Sequence, residues 1–297
     1  IVGGGLAGLT AANTLRKHGV EVVLYEAADV CGGRCRTEWI DGYEFYSGAV
    51  ATEPQWQTTF QLIKELGLEA RVQPGIPMRF AYSIKGKLRT LFLGATLSGV
   101  WENILFFFSG FPKKTYIHIA RAFSALFKYM VMVDTRSHVF SALADISNLS
   151  TKDFLTQNNA SLAEEWLFYP YMTMMVLERP SEISIAHPIS LFSLMKGSRT
   201  LDGGLGMIST GLYEKIKDCV RLRTPVKKIV IENRKVIGVE THERFVEADQ
   251  VICAVDAHQA LQLIPDLPDS MRGPLETCKY SSTYYYQFGL EEELISW

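Results

Sequence analysis

Apolar stretches along the chain alternate between helix-like and strand-like character, and their order predicts the elements. Leu9 to His18 has helical composition and stops at Gly19, a residue suited to a helix C-cap. Val20-Glu21-Val22-Val23-Leu24-Tyr25 is β-rich and nearly all apolar, which predicts a buried parallel strand. Met78 to Ile84 and Leu88 to Leu93 read as a hairpin turning at Lys85-Gly86-Lys87. Long helical patterns run from Thr96 to about Val133, with a break at Gly110-Phe111-Pro112. Ser150 stands as an N-cap before Thr151, with Asp153 in the first turn. A helix is expected from Ile208 to Cys219, just after Gly203–Gly206. Arg221 to Ile231 reads as one strand, Asn233-Arg234 as a polar turn and Val236 to Thr241 as the hairpin partner. Glu247 to Val255 should return as a buried strand, and the tyrosine-rich Ser282–Gly289 segment as another.

With 297 residues there is room for one large or two ordinary domains, and a hydrophobic content of 47% can build a sizeable core. A net charge of −2 gives no reason to expect a nucleic-acid partner. Five cysteines, an odd number in a chain this long, imply no disulfide scaffold and suit a reducing compartment such as the cytoplasm. Cys31 and Cys35 are close, but no other Cys/His pair stands at zinc spacing, so no metal site is expected. The chain reaches glycine directly after Ile1-Val2, whereas a buried strand commonly has about five residues. The rest of that strand is expected to precede Ile1, and the chain to be the front part of a longer protein.

The first chemistry-bearing motif is Gly3-x-Gly5-x-x-Gly8. Gly3 would permit the tight turn out of the strand. Gly5 would let the backbone approach a pyrophosphate, and Gly8 would let the helix pack closely. Leu6 and Ala7 open that helix. Glu26 ends the next strand, 18 residues after Gly8, where an acid can accept the hydroxyls of an adenosine ribose and would repel a 2′-phosphate. Ala27 follows it. Then comes a loop of two glycines and two arginines, Gly32-Gly33-Arg34-Cys35-Arg36, in which backbone amides and guanidinium groups can meet phosphate. Ser47-Gly48-Ala49 lies beyond it.

These motifs together resemble the superfamily of flavin-containing amine oxidases, protoporphyrinogen oxidases and phytoene desaturases. The resemblance is carried by the glycine fingerprint, the ribose acid and the Gly32-Gly33-Arg34 loop. It implies non-covalent FAD, with Arg34 and Arg36 near the pyrophosphate and ribityl chain and Ser47-Gly48-Ala49 close to the flavin. It further implies that the Val226 backbone lies against the adenine and that the strand ending at Ala254 runs past the dinucleotide. The expected fold is α/β: an FAD-binding Rossmann-like, doubly wound parallel sheet with a small β-meander, plus a discontinuous α+β substrate domain. The FAD-binding domain should comprise 1–75 and 200–265, and the substrate domain 76–199 and 266–297.

Activity follows from the resemblance as hydride removal from a C–H bond of a hydrophobic small molecule, with the flavin carrying the chemistry. Amine-oxidising relatives place a lysine in a strand corresponding to Tyr280–Phe288, and no lysine follows Lys279 here. That departure moves weight from amine oxidation toward the desaturase and porphyrinogen-oxidase branches. Rab GDP-dissociation inhibitors share the fold and bind a protein partner, but they lack an intact fingerprint. Of six histidines only His187, in the substrate stretch, draws attention, and core or surface packing is the favoured reading of it, so no catalytic residue is assigned. The apolar segments Leu91–Phe111 and Ile117–Val133 are interrupted by Glu102, Asn103, Arg121 and Lys128, so neither suits a membrane span. Core helices, the wall of an apolar substrate tunnel and peripheral contact with a membrane surface remain as three readings of them.

Overall fold

The computed structural model describes residues 1–73, 78–84, 86–93, 101–104, 106, 111–133, 141–194, 197–284 and 286–291. Its N-terminal half-turn leads at once into a helix, Leu6–Lys17 (α1), closed by His18 and by Gly19 in the left-handed region. The next strand is Leu24–Tyr25 (β1), shorter than the Val20–Tyr25 run suggests. The Ile1 nitrogen donates to the Val23 carbonyl at 2.8 Å, and Val20 and Glu21 are exposed. A hairpin of Thr37–Ile40 (β2) and Tyr43–Tyr46 (β3) follows, then a helix at Gln57–Glu65 (α2) and a short strand at Val72–Gln73 (β4).

The middle of the chain holds Met78–Ile84 (β5) and Lys87–Leu93 (β6), paired antiparallel from Met78↔Leu93 to Ile84↔Lys87, as the hairpin pattern anticipates. A 20-residue helix spans Lys113–Met132 (α3), starting directly after the expected break at Pro112. The part of the expected helical pattern at 96–100 lies outside the described residues. Thr151–Gln157 (α4) has the foreseen cap: the Asp153 amide donates to Ser150 Oγ at 3.0 Å, and the Ser150 hydroxyl donates back to the Asp153 carboxylate at 2.7 Å. Ser161–Ala163 (α5) and Tyr169–Met175 (α6) are joined by a π-helical turn at Glu164–Phe168. Ala186–Leu194 (α7) completes this group. Its apolar cluster centres on Phe106, Leu126, Leu155, Phe168, Tyr171 and Ile185, all at most 1% exposed.

Thr200–Leu201 (β7) then returns and pairs antiparallel with β4. Gly206–Ile216 (α8) packs along α1, burying Leu9, Leu24, Ile63 and Leu212 in a second cluster. Each such side chain stabilises by about 1.5–3 kcal/mol relative to exposure. The single strand expected over Arg221–Ile231 is in fact two. Val220–Arg221 (β8) pairs parallel with β1, whereas Val226–Glu232 (β9) joins an antiparallel sheet with Lys235–Thr241 (β10) and Phe245–Glu247 (β11) in the order β11-β10-β9. Arg223, with φ +52°, turns the chain between the sheets, and Pro225 has no amide to continue a ladder. Asn233 and Arg234 both have positive φ, as a two-residue type I′ hairpin requires.

Parallel pairing also joins Val2 to Tyr25 on one side and to Cys253 on the other. The observed parallel order is therefore Cys253, Val2, β1, β8. Helices Ala257–Leu263 (α9) and Asp269–Glu276 (α10) follow. The strand expected at Ser282–Gly289 does not form among the described residues. That segment is held instead by side chains: Tyr46 N donates to Gln287 Oε1 and Gln287 Nε2 donates to the Tyr46 carbonyl, both at 2.9 Å, while Tyr284 is 90% exposed. An amide side chain occupying both polar groups of one β3 residue docks an extended chain without a ladder.

Replacing Ser150 by alanine removes the acceptor for the Asp153 amide and should lower unfolding stability by about 1 kcal/mol. A urea titration of S150A against the parent, with unchanged slope and a lower midpoint, checks this.

Candidate functional site

The site is built where two glycine turns meet. Gly3 leaves its strand at φ +103°, with its amide donating to the Tyr25 carbonyl at 2.9 Å. A Cβ on Gly3 would stand 2.8 Å from the Ala254 carbonyl oxygen, so Ala254 flanks this turn directly. A Cβ on Gly8 would stand 1.9 Å from the Gly3 oxygen and 3.4 Å from the Ala254 Cβ. Helix α1 can thus begin against the first strand only if residue 8 has no side chain. Gly5, by contrast, faces open space: nothing lies within 4 Å of a Cβ built there. No side chain caps the α1 N-terminus, and no acid occupies its first turn. The amide ends of Leu6, Ala7 and Gly8 therefore carry the positive end of the helix dipole uncancelled.

The second loop closes on the first. Gly32 N donates to the Gly4 carbonyl at 2.8 Å, Gly5 and Gly32 form a parallel bridge, and a Cβ on Gly33 would lie 3.4 Å from the Gly5 Cα. Arg34 is exposed, and its carbonyl accepts from the Ala49 amide at 2.9 Å. Gly48 is pressed to the same carbonyl, 2.8 Å from its virtual Cβ. The Ser47 amide donates to the Arg36 carbonyl at 3.0 Å, and the Ser47 hydroxyl lies 3.0 Å from the Gly33 carbonyl oxygen and 3.2 Å from that of Arg36. Arg36 pairs with Glu38 through Nη2, while its Nε is buried with no partner among the described residues.

Glu26 is fixed by the backbone on both oxygens. The Gly4 amide donates to Oε2 at 2.6 Å and the Ala28 amide to Oε1 at 2.8 Å. Each oxygen keeps a further lone pair for a hydroxyl donor. Ala27, next to it, is exposed. The chain past β8 is drawn to the same corner, because Thr224 N donates to the Glu26 carbonyl at 2.9 Å and Arg223 N to that of Ala28 at 2.8 Å. Val226 begins β9 two residues later, half-buried. The residues singled out in sequence therefore converge: Gly3, Gly5, Gly8, Gly32, Gly33 and Ala254 around the turn, Glu26, Ala27 and Val226 at one end, Arg34, Arg36 and Ser47–Ala49 at the other. His187 is the second residue of α7, where its amide donates to the Ser184 carbonyl at 3.0 Å.

Several supporting residues carried no recognisable signal. Cys31 fills the space behind Gly4, 2.7 Å from a Cβ built there, and burial together with the Glu26 charge pushes its thiol up to about 11. Thr37 Oγ1 accepts from the Gly206 amide at 3.1 Å, and Ser209 donates to the Cys35 carbonyl at 2.7 Å. The Gly203–Gly206 return thus braces the arginine loop from α8. A signal for Gly206 was present in its glycine run, but Thr37 and Ser209 are ordinary residues until the fold brings them together. Among the described residues, no three His, Cys, Asp or Glu side chains converge as a metal site.

Beside Ala49 opens a cleft of about 490 Å³, lined by Tyr43–Tyr46 and Val50 on one wall and Tyr286–Gly289 on the other. It lies next to the segment expected to approach the flavin, and the docked tyrosine-rich strand-like segment forms its outer side. An FAD molecule suits the whole arrangement on four observations. These are the open side of Gly5, the uncapped helix start, the unpartnered Arg36 Nε and an acid held at ribose distance along the chain.

Residues 6–297 match the family described as flavin containing amine oxidoreductase. The chain is 27% identical to the 1-hydroxycarotenoid 3,4-desaturase of Flavobacterium sp. (strain P99-3), covering 98% of this chain and 63% of that one. It is 26% identical to the flavin-containing amine oxidase A of Canis lupus familiaris, over 86% of this chain and 49% of that one. Putrescine oxidase, solved with bound putrescine, superimposes with a TM-score of 0.71 at 21% identity, over 93% of this chain and 62% of that one. The chain thus spans between half and two thirds of the length of these relatives. With the match extending over nearly its whole length, this chain belongs to the flavin-containing amine oxidoreductase family, whose cofactor is FAD.

Proposed function

We propose that the protein is an FAD-dependent oxidoreductase that removes hydride from a C–H bond of a hydrophobic small molecule, in the manner of a carotenoid desaturase or a porphyrinogen oxidase. The observation that carries this reading is the contact between the two glycine loops, Gly5 against Gly33, with an open side facing outward. Bound FAD would supply the hydride acceptor. The α1 amides and Arg34 would hold its pyrophosphate by charge-assisted hydrogen bonds. Glu26 would accept from the ribose, and Val226 would flank the adenine. Ser47–Ala49, locked to Arg34 and Arg36, would set the position of the isoalloxazine edge beside the aromatic cleft.

The same reading extends to architecture. We take the parallel order Cys253, Val2, β1, β8 as part of a doubly wound sheet, with β9–β11 as its meander. We assign 1–75 and 200–265 to the FAD-binding domain, and 76–199 and 266–297 to the substrate domain. Two of the three apolar clusters among the described residues support that division, since one draws its buried members from 9–63 and 201–220 and the other from 91–189. The C-terminal piece also contacts the middle of the chain: Ser281 Oγ donates to the Val176 carbonyl at 3.1 Å and Lys279 pairs with Glu182 at 3.2 Å.

Amine oxidation is the second reading, favoured by likeness to the mammalian amine oxidase and to putrescine oxidase. Against it stands the absence of lysine from Tyr280 to Phe288.

The complete protein should show a flavin absorption band that is released into solution on heat denaturation. A colourless protein that also fails to take up added FAD would reject the reading. Anaerobic bleaching by carotenoid precursors or porphyrinogens, and not by amines, is expected; bleaching by amines alone would select the second reading. Two glycine variants separate the cradle from the scaffold. Gly5→Ala should fold with unchanged circular dichroism and melting temperature yet bind FAD at least about tenfold more weakly, a loss of roughly 1.4 kcal/mol. Gly8→Ala should destabilise the protein by more than about 2 kcal/mol, because its Cβ meets a backbone oxygen that cannot yield. Equal FAD affinity in Gly5→Ala and parent, measured by flavin fluorescence quenching, would remove Gly5 from the pyrophosphate site.

A further inference from the structure

The outer wall of the aromatic cleft, Tyr286–Gly289, forms no ladder with a neighbouring strand among the described residues. Gln287 carries it: its Oε1 accepts from the Tyr46 amide and its Nε2 donates to the Tyr46 carbonyl, both at 2.9 Å. Gly289, two residues on and so on the same side of an extended chain, lies on the Tyr43 ring, where a Cβ would stand 2.6 Å from Cγ. Tyr286 and Phe288, on the alternate side, are 74% and 81% exposed. No residue of the wall is buried. A wall held in this way can swing off β3 by breaking two hydrogen bonds, with no buried side chain to extract.

The place of the clamp matters more than its strength. β2 and β3 pair in the register Thr37↔Tyr46. Along an antiparallel ladder, alternate residues turn both polar groups away from the partner strand. Tyr46 is one of these, and Gln287 takes both groups. The next residue, Ser47, turns its amide inward to the Arg36 carbonyl at 3.0 Å, and Ala49 follows onto the Arg34 carbonyl at 2.9 Å. Adjacent residues are thus gripped from opposite sides, by the wall and by the arginine loop. The backbone that enters Ser47–Ala49 takes its orientation from both.

We propose that Gln287 is a positioning residue for the flavin and the latch of the cleft. Clamped, it fixes the peptide groups leading into Ser47–Ala49 and closes the outer side of the cleft. Released, it frees 286–289 and opens the isoalloxazine edge to solvent and to incoming substrate. An amide suits this position because Tyr46 offers one donor and one acceptor; an ionised carboxylate of the same shape can only accept. This role rests on the FAD reading above, in which Ser47–Ala49 would stand beside the isoalloxazine.

The test measures iodide quenching of flavin fluorescence in the complete, flavin-loaded protein. Gln287→Ala should raise the quenching constant at least about threefold, because the wall stays open. Gln287→Glu should match it at about pH 8, where the carboxylate faces the Tyr46 carbonyl with no proton to donate. As pH falls, that carboxyl takes up a proton and can donate again. The titratable groups around it are Tyr43, Glu44 and Tyr46 on β3 and Tyr286 in the wall. The Glu44 carboxylate and the Tyr46 carbonyl both favour the neutral form. Quenching in Gln287→Glu should therefore return to the parent's value by about pH 5, above the ordinary glutamate value of about 4.3. The parent and Gln287→Ala should show no such return. Quenching in both variants equal to the parent's overturns the proposal. So does a Gln287→Glu protein that stays open at low pH, which would mark a loss of packing only. A parent without flavin overturns the FAD reading and this one with it; with flavin present, the variants decide the clamp alone.

Discussion

Everything at the candidate site hangs on one close approach, that of the Gly8 Cα to the Gly3 carbonyl. Because residue 8 has no Cβ, α1 starts against the end of the first strand and its free amides project past Gly5. The same turn sets Gly4, whose amide holds Glu26, and Gly4's carbonyl, which accepts from Gly32. A methyl group at position 8 would push the helix outward. Glu26, the arginine loop and the Ser47–Ala49 segment would then lose their common reference. Electrostatics follows sterics here, since a helix dipole falls off within a turn and must be delivered within contact distance of its anion.

That reference is protected by packing from beneath. Leu9 and Ala12 on the inner face of α1 meet Leu212 and Ile208 on α8, so the helix cannot roll without opening a cavity in the second apolar cluster. From the side, α8 carries Gly206 and Ser209 onto Thr37 and Cys35, fixing the arginine loop to the same helix that buttresses α1. The chain leaves this region at β4 and returns at β7, and those two strands pair with each other. The bridge of Thr52 and Arg199, with two hydrogen bonds of 2.7 Å, repeats the closure one segment earlier. The more than one hundred residues between β4 and β7 thus begin and end at paired backbone.

The middle segment spends its interior on aromatic packing, such as Tyr171 stacked on Phe192 at 4.8 Å, and on a T-shaped contact of Phe111 with Trp166. Having buried one face of α3 in that way, it still leaves four large apolar residues of the same helix outside.

Local chemistry was readable residue by residue. The glycine spacing, the acid after β1, the Gly-Gly-Arg loop, the cap at Ser150 and the turn at Asn233-Arg234 are all short-range patterns. Each is dictated by backbone dihedrals or hydrogen bonds within a few residues. What the sequence could not determine depended on partners distant along the chain. Arg221–Ile231 has strand composition throughout, but only the tertiary structure decided that β8 joins the parallel strands and β9 the antiparallel sheet, with Arg223 turning between them. Ser282–Gly289 has strand composition too, yet the fold holds it through the Gln287 side chain. Thr37, Ser209 and Cys31 became parts of the site only because remote glycines left room for them. β-propensity measures the fit to a neighbouring strand, and that neighbour is supplied by the fold, so composition alone leaves the pairing undecided.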